Sequence, residues 1–228
     1  MTTLDILQEI LSDITEIRSF TFCKFPKQKL LQERIVFGKY EEVQFYEALQ
    51  IRDELGLPFW DSMMLTYFGK EQTSDKILDI ALMHNSPLEK IVVAEINLIR
   101  EKFIDNDSLL LALNSVIELK DKVIKHLPLL DFHIPISENN RNQIKKVLKH
   151  LGLTNGYLLE SGESYHYIGK QMMNIEDLLV MLNKALFFSP IIDKTWIAHQ
   201  LLEKSCSLRV GIKHSMEPKL IERIYENG

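Results

Sequence analysis

Leu129-Leu130-Asp131-Phe132-His133-Ile134-Pro135-Ile136 is a strand-length apolar run that carries an acid and an imidazole two residues apart. Pro128 bounds it on one side and the polar cluster Ser137-Glu138-Asn139-Asn140 on the other, which marks a strand. Side chains alternate along a strand, so the spacing places Asp131 and His133 on one face and Phe132 and Ile134 on the other. Polar groups in such a run are either hydrogen-bonded structure or a site, because burying them unpaired is costly. Taken alone, Asp-x-His also fits a strand-end Asp that accepts backbone hydrogen bonds.

Downstream, Ser137 is a good N-cap for a helix whose apolar face is Ile144, Val147, Leu148 and Leu151, with Gly152 as its stop. Tyr157 to Glu160 and Tyr165 to Ile168 read as two short strands around Ser161-Gly162-Glu163-Ser164, a hairpin. Asn174 caps a helix with Leu178, Leu179, Leu182 and Leu186 as its apolar face. After Pro190 come Asp193-Lys194-Thr195, a helix-like stretch from Trp196 to Leu202, and a strand-like run from Cys206 to Ile212. Strand, helix, hairpin, helix, helix and strand make an α+β layout, a small sheet with packed helices.

Residues 1–126 read as a mostly helical accessory region, and 127–228 as the α+β domain. Leu4, Leu7, Ile10, Leu11 and Ile14 recur at helical spacing. Arg18 to Pro26 breaks that period with β-branched and aromatic residues, as a short strand would. Helical spacing resumes around Val43 to Ile51, and Phe59, Trp60, Met63, Met64, Tyr67 and Phe68 form an apolar patch that reads as core. Further helices are expected from Thr73 or Ser74 to Met83, from Ser86-Pro87 to Phe103, and from Asp107 to Lys125.

With 228 residues, 46% of them hydrophobic and 26% charged, the chain can bury a real core. No stretch reads as a signal peptide or a membrane span, which gives an expectation of a cytoplasmic, soluble protein with no membrane partner. Cys23 and Cys206 belong to no CxxC pair and read as buried reduced thiols. The net charge of −5 argues against a protein that coats nucleic acid, but Arg141, Lys145, Lys146, Lys149 and His150 fill a window without acids. Such runs are commonly solvated helix faces; this one could also touch phosphate. No P-loop, GxGxxG, GxSxG or HExxH motif is present.

The hairpin offers turn N–H groups, the Ser161 hydroxyl and the His166 imidazole, a set suited to phosphate oxygens. Asp193 can complete a carboxylate pair with Asp131, enough with waters and phosphates to hold a hard cation such as Mg²⁺. Arg209 supplies a fork for phosphate or carboxylate. His199 shares a helix face with Trp196 and reads as a packed, satisfied ring.

The order Asp131-x-His133, Ser161-Gly162-x-x-x-His166, then Asp193 with Leu208-Arg209 downstream resembles the archaeo-eukaryotic primase superfamily. The resemblance covers about residues 127 to 215. It implies a primase-like (RRM-like) sheet, nucleotidyltransferase activity of the DNA or RNA primase type, and a part in DNA replication. It further implies a catalytic and metal-holding set of Asp131, His133 and Asp193, with Mg²⁺ or Mn²⁺ as cofactor. Ser161, His166 and Arg209 would contact the nucleoside triphosphate, beside a nucleic-acid template. Two positions depart from the pattern: His133 stands where the second acid of the first motif belongs, and Glu163 occupies a turn that tends to carry a small residue. Replacing a carboxylate by imidazole removes a charge and a hard ligand and favours softer ions such as Mn²⁺ or Zn²⁺. The departures leave open a catalytically degenerate primase-fold module that binds nucleic acid or, through the helical region, a protein partner. A metal-dependent hydrolase built on Asp131, His133, His166 and Asp193 is a third reading.

Overall fold

The computed structural model describes residues 1–26, 39–67, 78–79, 81–82, 86–102, 109–212 and 216–225. The chain forms two compact units, one of Met1–Lys27 with Pro87–Gly228 and one of Gln28–Ser86. Among the described residues no helix is long and apolar enough to cross a membrane.

The larger unit begins with α1 (Thr3–Asp13), held at its start by a capping box between Thr2 and Asp5. Its apolar stripe buries Leu4, Leu7 and Ile10 against the core, as the spacing predicts. Strand β1 (Ile17–Pro26) follows, then β2 (Glu89–Val93), α4 (Ile96–Lys102), β3 (Leu109–Leu119), β4 (Ile124–His126) and β5 (Leu129–Asp131). Helix α5 (Glu138–His150) leads to the hairpin β6 (Gly156–Glu160) and β7 (Tyr165–Gly169). Helix α6 (Ile175–Ala185), helix α7 (Lys194–Glu203), β8 (Ser207–Arg209) and β9 (Lys219–Ile224) complete the unit. The fold class is α+β.

Two antiparallel sheets share one core. The first runs β2-β1-β3-β4, with β8 also paired to β3; the second runs β5-β7-β6-β9. Strands from both sides of residue 126 therefore lie in one sheet. A polar seam inside the first sheet is fully partnered. Asn114 Nδ2 donates to Ser205 Oγ and Ser207 Oγ, and Ser115 Oγ sits 3.0 Å from His126 Nδ1 while accepting from the Cys206 N–H. Both cysteines are buried free thiols.

The segment expected as a helix from Asp107 to Lys125 is instead β3 and β4. Leu109-Leu110-Leu111-Ala112-Leu113 is rich in good helix formers, but it occupies the middle of the first sheet, where residues 111 to 115 are buried without alternation. A strand covered on both faces shows no period of two, so periodicity cannot separate it from a buried helix. The single helix expected from Ser86-Pro87 to Phe103 is β2 followed by α4, because Ile91-Val92-Val93 pairs with Phe20 to Phe22 of β1. The apolar face of α6 is Leu178, Met181, Leu182 and Ala185, while Leu186 is exposed.

In the smaller unit, α2 (Lys39–Leu55) and α3 (Phe59–Tyr67) bury Phe45, Ala48, Met63 and Tyr67, with Phe59, Trp60 and Met64 packed against them. The aromatic and methionine patch is core, at least over these residues. Phe68 and most of the helix expected from Thr73 or Ser74 to Met83 lie outside the described residues.

Candidate functional site

Sheet register decides which of the sequence-predicted residues meet. Strands β5 and β7 pair with Asp131 opposite His166, and His166 Nε2 lies 3.5 Å from Asp131 Oδ1. On the other side of β5, Phe132 bridges Ile192. The flanking bonds run from the Asp193 N–H to the Asp131 carbonyl (3.3 Å) and from the His133 N–H to the Ile191 carbonyl (2.8 Å). Asp193 is therefore the cross-strand neighbour of Asp131. Directly opposed residues project to one face with Cβ atoms about 4.5–5.5 Å apart. Asp193, Asp131 and His166 stand abreast in a row that continues to Leu159 and Leu220.

Two tyrosines identify the face this row uses. Tyr157, on the same face of β6 as Leu159, donates its hydroxyl to Glu9 of α1. Tyr165, adjacent to His166 and so on the opposite face, donates to the carbonyl of Ser137 at the start of α5. The row thus faces away from α5, toward the side where β8 of the first sheet approaches. Burial follows the same parity: Leu130 and Phe132 are buried, Asp131 is partly exposed and His133 exposed.

Arg209 spans the gap from β8. Its Nη1 donates to the carbonyls of Gly211 (2.6 Å) and Met216 (3.1 Å), and its Nη2 donates to the carbonyl of Ser161. Burial pulls the guanidinium pKa down, and the Asp131 carboxylate opposes that shift. The fork predicted for a phosphate is thus engaged in fixing the hairpin, while its charge faces the acid row. Within the hairpin, the Ser161 N–H donates to the Ser164 carbonyl and the two hydroxyls are 3.2 Å apart. Gly162 takes φ +120°, which L side chains adopt rarely, so the turn depends on glycine there.

Asp193 has a second task. It caps α7, with Oδ1 accepting from the N–H groups of Thr195 (2.8 Å) and Trp196 (3.1 Å); Oδ2 takes no part in the cap. An Asp just ahead of a helical stretch could have been read as a cap from the sequence. His133 lies one residue past the bridge at the strand end. Among the described residues no group of three His, Cys, Asp or Glu side chains is arranged to hold a metal ion. The expected trio Asp131, His133 and Asp193 is not assembled, because one carboxylate is turned into a cap and the imidazole sits at the rim. Oxygen donors of the kind a hard cation takes are present in the row, on Asp131 and Asp193.

His199 is buried on α7 beside Trp196, as a packed ring. Burial lowers its pKa, opposed by the nearby acids Asp193 and Glu203. Sequence reasoning missed β9 altogether, and with it Met216, Arg223 and Tyr225. The alternation in Lys219 to Ile224 is weak, and nothing in the sequence says that this segment pairs with β6.

The sequence model of the archaeo-eukaryotic primase 1D-like family matches residues 97–222, more than half of the chain. Comparison with curated proteins and with solved structures gave no match.

Proposed function

We propose, since this chain belongs to the archaeo-eukaryotic primase 1D-like family, that the acid row beside β5 and β7 binds a nucleoside triphosphate with a divalent cation and transfers the nucleotide on a nucleic-acid template. The observation that carries this reading is the row of Asp193, Asp131 and His166 fixed by the strand register. Asp131 and Asp193 would hold the cation, Mg²⁺ or Mn²⁺. When bound, that ion neutralises charge on the phosphates and on the leaving group.

The protein's own groups then position the substrate. His166, 3.5 Å from Asp131, would donate to a phosphate oxygen. The Ser161 to Ser164 turn presents hydroxyls and backbone beside it, held in register by Arg209. Arg209 adds positive potential near the acid row without leaving its carbonyl partners. In phosphoryl transfer most of the catalytic work is positioning and charge stabilisation, so a site of two acids, an imidazole and a fixed turn is sufficient in kind. His133, exposed at the rim, would be an auxiliary ligand.

The test is extension of a labelled primer on a template with nucleoside triphosphates and Mg²⁺ or Mn²⁺. Wild type is expected to add template-directed nucleotides, and the D131A/D193A variant to add none. Absence of both incorporation and metal-dependent triphosphate binding in the wild type would overturn the reading.

A further inference from the structure

On the edge of the second sheet, α5 and β9 enclose a cavity of about 390 Å³. Lys145, Lys146 and Lys149 line it from the helix, and Arg223, Ile224 and Tyr225 from the strand and its end. The helix can place three lysines there because Ile144, Val147 and Leu148 bury its apolar stripe and leave the flank to polar residues. Glu222, the carboxylate in the lining, is already shared by Lys145 (3.0 Å) and Arg141 (3.7 Å), and Arg223 is turned to Glu9 (2.8 Å). Lys146 and Lys149 are exposed and have no ion pair among the described residues. Tyr225 is 62% exposed beside them.

Two exposed cations next to an open aromatic ring, in a concave surface, suit a flexible polyanion that also carries flat bases. The geometry points to a track for single-stranded nucleic acid, with backbone phosphates on Lys146 and Lys149 and a base stacked on Tyr225. It is distinct from the acid row. Strand β9 is three strand spacings from β5, about 14 Å, and α5 covers the reverse face of the row. Nucleic acid as the partner class rests on the function proposed above, whereas the place of contact rests on the residues just named.

The experiment is fluorescence anisotropy of a labelled oligothymidylate of roughly 20 nucleotides with the full chain, over about 50 to 300 mM salt. Wild type is expected to bind with an affinity that falls as salt rises. The K146E/K149E variant is expected to bind at least about tenfold more weakly, with a log–log salt slope smaller by about 1.4, two phosphates at about 0.7 each. Y225A is expected to lose roughly tenfold in affinity with the slope unchanged, since stacking releases no counterions. D131A/D193A is expected to bind the oligonucleotide like wild type, so a failed incorporation assay would sink the reading of the acid row and leave the track standing. A K146Q/K149Q variant, with a thermal melt of each protein, separates loss of contact from loss of fold. Wild type that ignores the oligonucleotide, or lysine variants that match it in affinity and slope, would overturn the assignment. So would binding of anionic vesicles in place of the oligonucleotide.

Discussion

His166 stands directly across the β5–β7 strand pair from Asp131, with Nε2 3.5 Å from Oδ1. That pairing brings the hairpin motif to the strand motif, and the bridge at Phe132 and Ile192 brings Asp193 to the other flank. Replacing His166 by Ala removes a charge-assisted donor worth about 1.5–3 kcal/mol. Metal-dependent nucleoside triphosphate binding is expected to weaken by roughly ten- to a hundredfold, read by calorimetric titration. An unchanged affinity would take His166 out of the site.

The proposed site gives Asp193 a purpose besides the α7 cap, and substitution can separate the two. Asp193→Ala is expected to cost about 1 kcal/mol of stability through loss of the α7 cap, together with all template-directed incorporation. Asp193→Ser keeps a good cap and is expected to recover most of the stability but none of the incorporation. Urea midpoints and primer extension on the same preparations read the two effects. Incorporation regained by Asp193→Ser would show that the carboxylate serves only the helix.

Arg209 is the tie between the first sheet and the hairpin. Its three carbonyl partners belong to Ser161, Gly211 and Met216. Arg209→Ala strands those acceptors and is expected to lower stability by about 3 kcal/mol, with protease cleavage appearing first near Gly162. Wild-type resistance to both urea and protease in that variant would contradict the clamp.

Glu9 holds α1 against the second sheet through Arg223 (2.8 Å) and the Tyr157 hydroxyl (2.8 Å). The Arg223 hydrogen bond, reinforced by Tyr157, sets the Glu9 carboxyl below its ordinary value in spite of an opposing push from burial. A depressed folded pKa means that the unfolded chain binds the proton more tightly. The stabilisation is therefore full above the unfolded carboxylate pKa and is lost as pH falls through the folded one. Melting temperatures of wild type and Glu9→Gln should differ at neutral pH and converge below about pH 4. A constant offset across that range would contradict this coupling.

Much of the second sheet was legible in the sequence because its signals are local. Ser137 and Asn174 cap α5 and α6 as their residue types suggest, and the Ser161 to Ser164 turn joins the two strands expected around it. The order of Asp131, His166 and Asp193 was readable too. Their alignment in one row was not, since register between distant segments leaves no periodic trace. The first sheet was hidden for a different reason: β3 is buried on both faces and built from Leu and Ala, so local propensity favours the helix that tertiary pairing overrides. The α7 cap of Asp193 is local and readable, but its place opposite Asp131 and the clamp of Arg209 on Ser161 were invisible for the same reason as the row. Each depends on a partner far along the chain.

The account stands on the acid row as a cation and phosphate site. Anomalous diffraction at the manganese edge, from crystals grown with Mn²⁺ and a non-hydrolysable nucleoside triphosphate, tests it most directly. A peak about 2.2 Å from carboxylate oxygens of both Asp131 and Asp193, with the phosphates within reach of His166, is the expected result. Manganese and nucleotide bound elsewhere, with the two carboxylates unliganded, would contradict it.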